Sequence, residues 1–254
     1  MDAARALDTE TVGGALLTAQ LWWRREDGRD LAALLWQAGP GWRMASSGVL
    51  GGGLGARDHV LNVQVDGDYR RTDPDRHLAE LAARRGATGT GVGMLTAADV
   101  SRARFAADHG AEALVTVGLG RPTWAAADPA LDEARLPADG HRPGTINILV
   151  AVPAPMSDAA LVNLVATATE AKVQALLESG YACTGTASDA VCVAALVADT
   201  PEAEREPFGG VRSRWGGRVA RAVHAAVAEG ARAEMVRPGA GRPDDRARRL
   251  TRRR

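Results

Sequence analysis

Two adjacent hydroxyl groups before a run of glycines are the first candidates for chemistry in this sequence. Residues 44–55 read MASSGVLGGGLG, with Ser46 and Ser47 ahead of the glycines. A serine can attack a carbonyl carbon, and the backbone N–H groups of Gly52 and Gly53 can stabilise the oxyanion that forms. Glycines in such number also indicate positive φ angles or the close approach of a ligand. The segment is typical of an acyl-transfer site, with ordinary turn chemistry as the alternative.

Two further hydroxyl groups are candidate nucleophiles. Ser188 precedes Asp189 in TGTASDA, and Thr145 follows Gly144 in PGTIN. The Gly144–Thr145 step also resembles the self-cleavage junction of amino-terminal-nucleophile hydrolases. For both hydroxyls the alternative is a structural role in a turn or a helix cap.

A single lysine, Lys172, is the strongest candidate for carrying a proton. All other Lys or Arg positions in the chain are arginine. Arginine stays protonated in proteins, whereas a buried lysine can act as a base. We predict that Lys172, or alternatively His59 or His224, carries the proton and that Asp189 or Glu170 orients that group. The alternatives for Lys172 are a buried ion pair and a side chain that extends to the surface.

The elements that must position these groups follow from the hydrophobic pattern. Alternating or apolar runs predict strands near 15–23, 31–36, 42–46, 60–65, 92–95, 113–118, 146–152 and 190–197. Helical periodicity predicts helices at 75–85, 157–179 and 213–230. Because most strands follow one another without a helix between them, we predict an α+β fold, a mostly antiparallel or mixed sheet layered with about three helices. The expected units are one compact domain over 1–236, with a long loop at 121–144, and a disordered Arg/Pro/Gly-rich tail at 237–254.

The longest predicted helix has one apolar side and one polar side, and both bear on function. Ser157 is its predicted N-cap, and Gly180 is placed just past its end. The predicted buried stripe is Leu161, Val162, Val165, Ala168, Val173 and Leu176, and Lys172 falls within it. The predicted polar side is Asn163, Thr167, Glu170 and Gln174. If that side lines a cleft, it suits a ligand rich in amide groups.

Composition and motifs exclude several classes of function. The net charge is zero, and no basic-aromatic stripe exists outside the tail, so we expect no nucleic-acid partner. The absence of a long apolar run and of a signal peptide predicts a cytoplasmic protein without a membrane partner. No G-x-G-x-x-G or P-loop motif occurs, and the histidines lack metal-ligand spacing. Cys183 and Cys192 are nine residues apart, and we expect no disulfide between them.

Several long blocks in a fixed order carry a resemblance to a known family. They are SSGVLGGGL, HVLNVQV, GVGMLTAADV, ALVTVGLGRPTWA, PGTINILVAVPAPMSDAALVNLVATATEAKVQALLESGYACTGTASDAV and EPFGGVRSRWGGRVARAVHAAV. Across about residues 45–227 the sequence resembles the adenosylcobinamide amidohydrolase (CbiZ-type) family. The resemblance implies hydrolysis of the amide that joins the aminopropanol arm to the corrin ring of adenosylcobinamide, giving adenosylcobyric acid in corrinoid salvage. One departure is Gly51, where the family pattern often has asparagine.

The resemblance also defines the expected partners. The corrinoid is a substrate, and we expect neither a cofactor nor a metal, and allow a homo-oligomer. A non-enzymatic corrinoid-binding protein is the alternative function. The glycine loop, residues 48–55, is expected to bind an edge of the corrin ring or one of its side-chain amides. The expected substrate-binding positions are Gly51, Gly52, Gly53, Asn62, Thr96, Thr145, Asn147, Asn163, Thr167, Thr186 and Ser188.

Overall fold

The computed structural model describes residues 9–127, 144–197 and 199–236. The strands in these ranges are β1 (Glu10–Gly13), β2 (Thr18–Glu26), β3 (Arg29–Gln37), β4 (Trp42–Ser46), β5 (Gly53–Ala56), β6 (His59–Gln64), β7 (Gly91–Thr96), β8 (Arg104–Asp108), β9 (Ala111–Val117), β10 (Ile146–Val152) and β11 (Ala190–Leu196). The helices are α1 (Pro74–Arg84), α2 (Asp158–Glu178) and α3 (Arg214–Met235). The predicted tail at 237–254 and most of the predicted loop at 121–144 lie outside the described residues.

The strands form two mixed sheets. The first sheet has the order β1-β2-β3-β6-β7, and the second has the order β5-β4-β11-β10-β9-β8. Two pairs are parallel, β6 with β7 and β10 with β11, and the other described pairs are antiparallel. The predicted α+β class with about three helices is confirmed, although the strands divide into two sheets.

Three strands, β1, β5 and β8, were not predicted, because none of them has a clear hydrophobic pattern. β5 has the sequence GLGA, whose two glycines have low strand propensity. β8 is an alanine-containing edge strand that reaches β9 through a tight turn at His109 and Gly110, with φ angles of 43° and 92°. β1 has four residues and is largely exposed. Such strands form because a neighbouring strand offers hydrogen bonds, which composition alone does not report.

The core has two main layers, one on each side of the second sheet. Alternate residues of β10 show this, since Ile146, Ile148 and Val150 pack with helices α2 and α3. Leu149 and Ala151 of the same strand pack against the first sheet. Helix α1 covers the outer face of the first sheet. A strand buried on both faces reads as a continuous apolar run, and β10 does so.

Helix α2 matches its predicted ends and most of its predicted buried side. Ser157 Oγ accepts a hydrogen bond from the Ala160 N–H at 3.2 Å, and Gly180 has a φ of 82° just past the end. The prediction was wrong for Val162, which is 55% exposed because it lies about 100° around the helix from Leu161. It was also wrong for Thr167, as described below.

Candidate active site

One edge of the second sheet gathers most of the predicted catalytic side chains. Strands β10 and β11 are parallel, so both begin at this edge, and the antiparallel β4 ends there. The Ser47 N–H donates to the Val191 carbonyl at 2.9 Å, and Ser47 Oγ accepts from the Val191 N–H at 3.0 Å. Ser46 Oγ accepts from the Gly48 N–H at 2.9 Å. The strand topology therefore places Ser46 and Ser47 beside the start of β11. We call this end of the second sheet, where β10 and β11 begin and β4 ends, the strand-end site.

A buried ion pair lies at the same edge, behind the start of β11. Lys172 Nζ donates to Asp189 Oδ2 at 2.6 Å, and the two side chains are 8% and 11% exposed. The Asp189 carboxylate also accepts from the Ile146 N–H at 2.9 Å. Thr186 donates to it from its N–H at 3.1 Å and from its hydroxyl at 2.5 Å. Of the alternatives for Lys172, the buried ion pair is the arrangement present, and Asp189 is its carboxylate partner.

The two other candidate hydroxyls form a pair next to this carboxylate. Thr145 Oγ1 and Ser188 Oγ lie 2.7 Å apart, and Thr145 is buried. Thr145 directly precedes β10, which begins at Ile146, and Ser188 lies two residues before β11, which begins at Ala190. All three candidate nucleophile positions of the sequence analysis therefore lie at one edge.

Buried amides extend the strand-end site into the space between the two sheets. Asn147 Nδ2 donates to Asn62 Oδ1 at 2.8 Å and to the Leu95 carbonyl at 3.0 Å. Asn62 Nδ2 donates in turn to Thr116 Oγ1 at 3.1 Å. Asn147 is 1% exposed, and its Oδ1 has no hydrogen-bond partner in the described part of the chain. A buried acceptor of this kind can bind an amide N–H.

Two threonine hydroxyls lie in this region, and only one of them was predicted from the sequence. Thr96 was predicted and is buried, where its Oγ1 accepts from the Ala98 N–H at 2.9 Å. Thr116 was missed, although it pairs with Asn147 in the sheet register. Thr116 lies two residues after Leu114 on β9, so its side chain is on the same face of the strand as Leu114, which packs against the first sheet. Strand alternation could therefore have pointed to Thr116.

The glycines that follow the serines have a structural reason that the sequence did not reveal. Leu50 and Gly93 of β7 exchange two backbone hydrogen bonds, at 3.2 and 2.9 Å. A Cβ added at Gly51, where φ is 63°, would lie 2.0 Å from the Gly91 carbonyl oxygen. A Cβ at Gly48 would lie 2.8 Å from the Gly93 carbonyl oxygen. The close approach that these glycines allow is thus made by β7, not by a ligand.

The remaining loop glycines differ in the space around them. A Cβ at Gly52 would lie 2.5 Å from the Gly48 carbonyl oxygen of the same loop. Gly53 has a φ of 83° and open space around its Cβ position. The expected contact of this loop with substrate stays a prediction, and Gly53 is the position where room exists for it.

The two candidate histidines are not brought to Lys172. His59 is buried at the start of β6, with Nδ1 3.0 Å from the Thr88 carbonyl oxygen. His224 lies between α3 and α2, with Nε2 2.7 Å from Glu178 Oε2. Both rings have structural partners, and the Asp189 carboxylate lies on Lys172 instead.

The polar side of α2 does not form one continuous surface either. Thr167 is buried, and its hydroxyl donates to the Gly209 carbonyl at 3.0 Å, which corrects its placement on an exposed side. Asn163 and Glu170 are exposed to solvent. Their expected contact with substrate or with the proton carrier has no support in the described geometry.

The two cysteines are free, as expected, and both are buried. Burial raises the pKa of the Cys192 thiol to about 12, and it also raises the pKa of Cys183. A thiol that resists ionisation is a poor nucleophile. Cys192 therefore packs next to Ser46 as an apolar residue and leaves the chemistry of the edge to hydroxyl groups.

Comparison with known proteins now identifies the family. A family model described as adenosylcobinamide amidohydrolase matches residues 18–238, from β2 to the end of α3. This chain belongs to the adenosylcobinamide amidohydrolase family. The predicted family and the predicted class of enzyme, a hydrolase acting on an amide, are thereby confirmed.

Two curated relatives carry the same name. The adenosylcobinamide amidohydrolase of Methanosarcina mazei is 31% identical over 179 residues, covering 68% of this chain and 82% of the relative. That of Halobacterium salinarum is 34% identical over 212 residues, covering 82% of this chain and 86% of the relative. A crystal structure of the PH0078 protein from Pyrococcus horikoshii aligns with a TM-score of 0.44 and 13% identity, over 87% of this chain and 82% of that one. A likeness at that level carries no conclusion about function.

Two observations on the described residues bear on membranes and on metal ions. Among the described residues, no helix combines the length and the hydropathy that a membrane crossing requires. In the same residues, no group of three or more His, Cys, Asp or Glu side chains is arranged to hold a metal ion. Metal independence stays a prediction from the sequence, to be tested with the activity itself.

Proposed function

We propose that this family member hydrolyses the amide between the aminopropanol arm and the corrin ring of adenosylcobinamide at the strand-end site, releasing adenosylcobyric acid and 1-amino-2-propanol. The family match supports the reaction. One structural observation supports the place: Ser47, the Thr145–Ser188 pair and the Lys172–Asp189 pair meet at a single sheet edge. This reaction suits corrinoid salvage. A cytoplasmic location and a homo-oligomer remain predictions from the sequence.

The surroundings of the edge suit a large ligand with apolar faces and amide substituents. Val49 and Leu54 of the glycine loop are 52% and 41% exposed, and Trp124 is 45% exposed. The loop that carries Trp124 is fixed to the segment before β11, because the Thr123 N–H donates to the Gly185 carbonyl at 2.8 Å. These apolar side chains would contact the corrin face, while the buried amides offer hydrogen bonds to its periphery.

The chemistry requires attack on the carbonyl carbon, stabilisation of an oxyanion and protonation of the departing amine. Ser47 Oγ already accepts one hydrogen bond from Val191, so its lone pair and its own hydrogen would serve to attack or to orient a water. The Thr145–Ser188 pair is the alternative nucleophile, since it lies nearest in the chain to Asp189. Lys172 would give a proton to the amine nitrogen as the C–N bond breaks, and it would take up the proton released by the attacking hydroxyl or water, which restores its charge. If a hydroxyl attacks, water then hydrolyses the resulting ester, and in either case water provides the oxygen of the new carboxyl group.

Release of the amine tests the reaction directly. Purified protein incubated with adenosylcobinamide should release 1-amino-2-propanol and adenosylcobyric acid in equal amounts, as quantified by chromatography and mass spectrometry. The assay is run with a chelator and with added divalent metals, so that metal dependence is measured separately. Folded protein that releases no amine under either condition would sink the proposal. Binding of the corrinoid without turnover would instead favour the non-enzymatic binder.

The nucleophile is tested by removing one hydroxyl at a time. We expect Ser47→Ala to lower kcat on the order of 10²-fold or more, because the attacking or orienting oxygen is lost. Thr145→Val is the matched test of the alternative, and Thr145→Ser restores its hydroxyl. Glu170→Gln, on the exposed side of α2, is the control and should keep native turnover. Near-native rates in Ser47→Ala, together with a loss in Thr145→Val, would transfer the role to the Thr145–Ser188 pair.

A further inference from the structure

A groove between α1 and β2 concentrates positive charge away from the strand-end site. Its volume is about 420 Å³, within the range of small-ligand sites. It is lined by five arginines, two glutamates and three other side chains: Arg24, Arg25, Arg71, Arg84, Arg85, Glu26, Glu80, Trp22, His77 and Leu81. Trp22 and Leu81 belong to the core between α1 and the first sheet, so the groove opens on the outer face of that sheet. We call it the arginine groove.

Three of the five guanidinium groups are matched by carboxylates. The ion pairs are Arg24–Glu26 at 2.9 Å, Arg25–Asp30 at 3.1 Å and Arg71–Asp73 at 2.8 Å. Arg84 and Arg85 have no carboxylate partner among the described residues. The groove therefore has an excess of positive charge on the wall formed by α1.

Arg85 is held in place without its charge being neutralised. Its guanidinium lies over the Trp22 ring, 5.2 Å from the centroid. Its Nη2 donates to two neutral oxygens, Thr9 Oγ1 at 2.9 Å and Gln20 Oε1 at 3.4 Å. Its Nε is buried and has no acceptor in the described part of the chain. The guanidinium is thus fixed by neutral partners while its charge is not matched by a carboxylate among the described residues, which favours an anion beside it.

The end of a helix explains part of this pattern. Cations at the C-terminal turn of α1 interact favourably with the helix dipole, and Arg84 and Arg85 lie there. Arg71 and Arg25 reach the same groove from outside the helix, but both are paired with carboxylates, Arg71 with Asp73 and Glu80 and Arg25 with Asp30. Arg84 and Arg85 are therefore the two groove arginines whose charge is left for an anion, and a phosphate has enough oxygens to accept from both guanidinium groups.

We propose that the arginine groove binds a small phosphate-bearing anion through Arg84 and Arg85. The phosphate oxygens would accept from both guanidinium groups. The ligand class is a phosphate ester or a polyphosphate, whether free or as part of a nucleotide. Binding there does not depend on amide hydrolysis at the strand-end site, because the two sites lie on different faces of the first sheet.

Calorimetric titration of the full chain with inorganic phosphate, pyrophosphate and ATP tests this proposal. We expect saturable binding of pyrophosphate below about 10 mM, and tighter binding of ATP if a nucleotide is the natural source. Arg84→Gln and Arg85→Gln should each weaken pyrophosphate binding at least about tenfold. Arg70→Gln, an exposed arginine next to Arg71 in the chain but outside the groove lining, is the matched control and should bind like the native chain. All three variants should retain adenosylcobinamide hydrolysis.

Three results would overturn the proposal. The first is the absence of binding by every phosphate compound at that concentration. The second is equal weakening by Arg70→Gln and Arg84→Gln, which would indicate diffuse surface charge rather than a site. The third is binding of citrate as tight as that of pyrophosphate, which would show no selectivity for phosphate. Each readout is independent of turnover, so failure here is distinguishable from failure of the proposed reaction.

Discussion

The strand-end site and the arginine groove use charge in opposite ways. At the strand end, one ammonium and one carboxylate are buried together, and the surrounding side chains are neutral hydroxyls and amides. In the groove, guanidinium groups outnumber the carboxylates and remain open to solvent in part. Buried and matched charges fix the position of chain segments, whereas an excess of charge attracts a ligand of opposite sign. The first arrangement suits an amide-rich substrate and the second an anion.

The largest expected effect comes from removing the carboxylate of the strand-end pair. Asp189→Ala would leave the Lys172 ammonium buried without its partner and would orphan the donors of Ile146 and Thr186. We expect a loss of about 3–5 kcal/mol in the free energy of unfolding, measured with denaturant. The matched control is Asp108→Asn, which breaks the ion pair with the exposed Arg221 and should cost about 0–1 kcal/mol. Equal effects would mean that the buried pair does not organise the edge.

The second effect concerns the lysine of the same pair, and it separates position from chemistry. Lys172→Met leaves Asp189 with three hydrogen-bond donors, so this variant should be more stable than Asp189→Ala. If Lys172 carries the proton, both Lys172→Met and Lys172→Arg should lower kcat on the order of 10²-fold with little change in KM. Near-native turnover in Lys172→Arg would show that the residue acts as a structural or anchoring cation.

The contrast between the two regions also shows what the sequence could reveal. Lys172 stood out as the single lysine on an apolar helix stripe, so its burial and its pairing with Asp189 were within reach of pattern reasoning. The strands were predicted where apolar residues alternate or run together, and missed where, as in β5, pairing with a neighbour supplies the stability. Local patterns report burial well, because burial depends on periodicity along one element.

Contacts between distant segments were beyond that reasoning. The glycines of the loop after β4 pack against Gly91 and Gly93, which are some forty residues further along the chain. The buried Asn62–Asn147–Thr116 contacts join strands of different sheets, and their register is fixed only by the folded topology. The arginine groove likewise combines β2, α1 and the segment before α1. In an arginine-rich chain, no single arginine signals such a cluster.

The smallest expected effect lies in the arginine groove and concerns its histidine. His77 is 4% exposed, with Tyr69 Oη 3.0 Å from its Nδ1. Burial lowers the pKa of His77 below its usual value near 6.5, opposed by Glu26 and assisted by Arg71. The folded state therefore resists a proton that the unfolded chain accepts. Stability is fully present above the unfolded pKa of about 6.5 and is lost as the pH falls below it.

The prediction is that His77→Gln flattens the pH dependence of the free energy of unfolding between about pH 7 and pH 5. One proton can contribute no more than about 1.4 kcal/mol per pH unit, which makes this effect the smallest. Glutamine keeps an acceptor for the Tyr69 hydroxyl but does not titrate. His109→Asn, in the exposed turn between β8 and β9, is the control and should keep the native slope. If the pH dependence of the free energy of unfolding is unchanged in His77→Gln, another group takes up the proton on unfolding. His77 would then not be the cause of the loss of stability at acid pH.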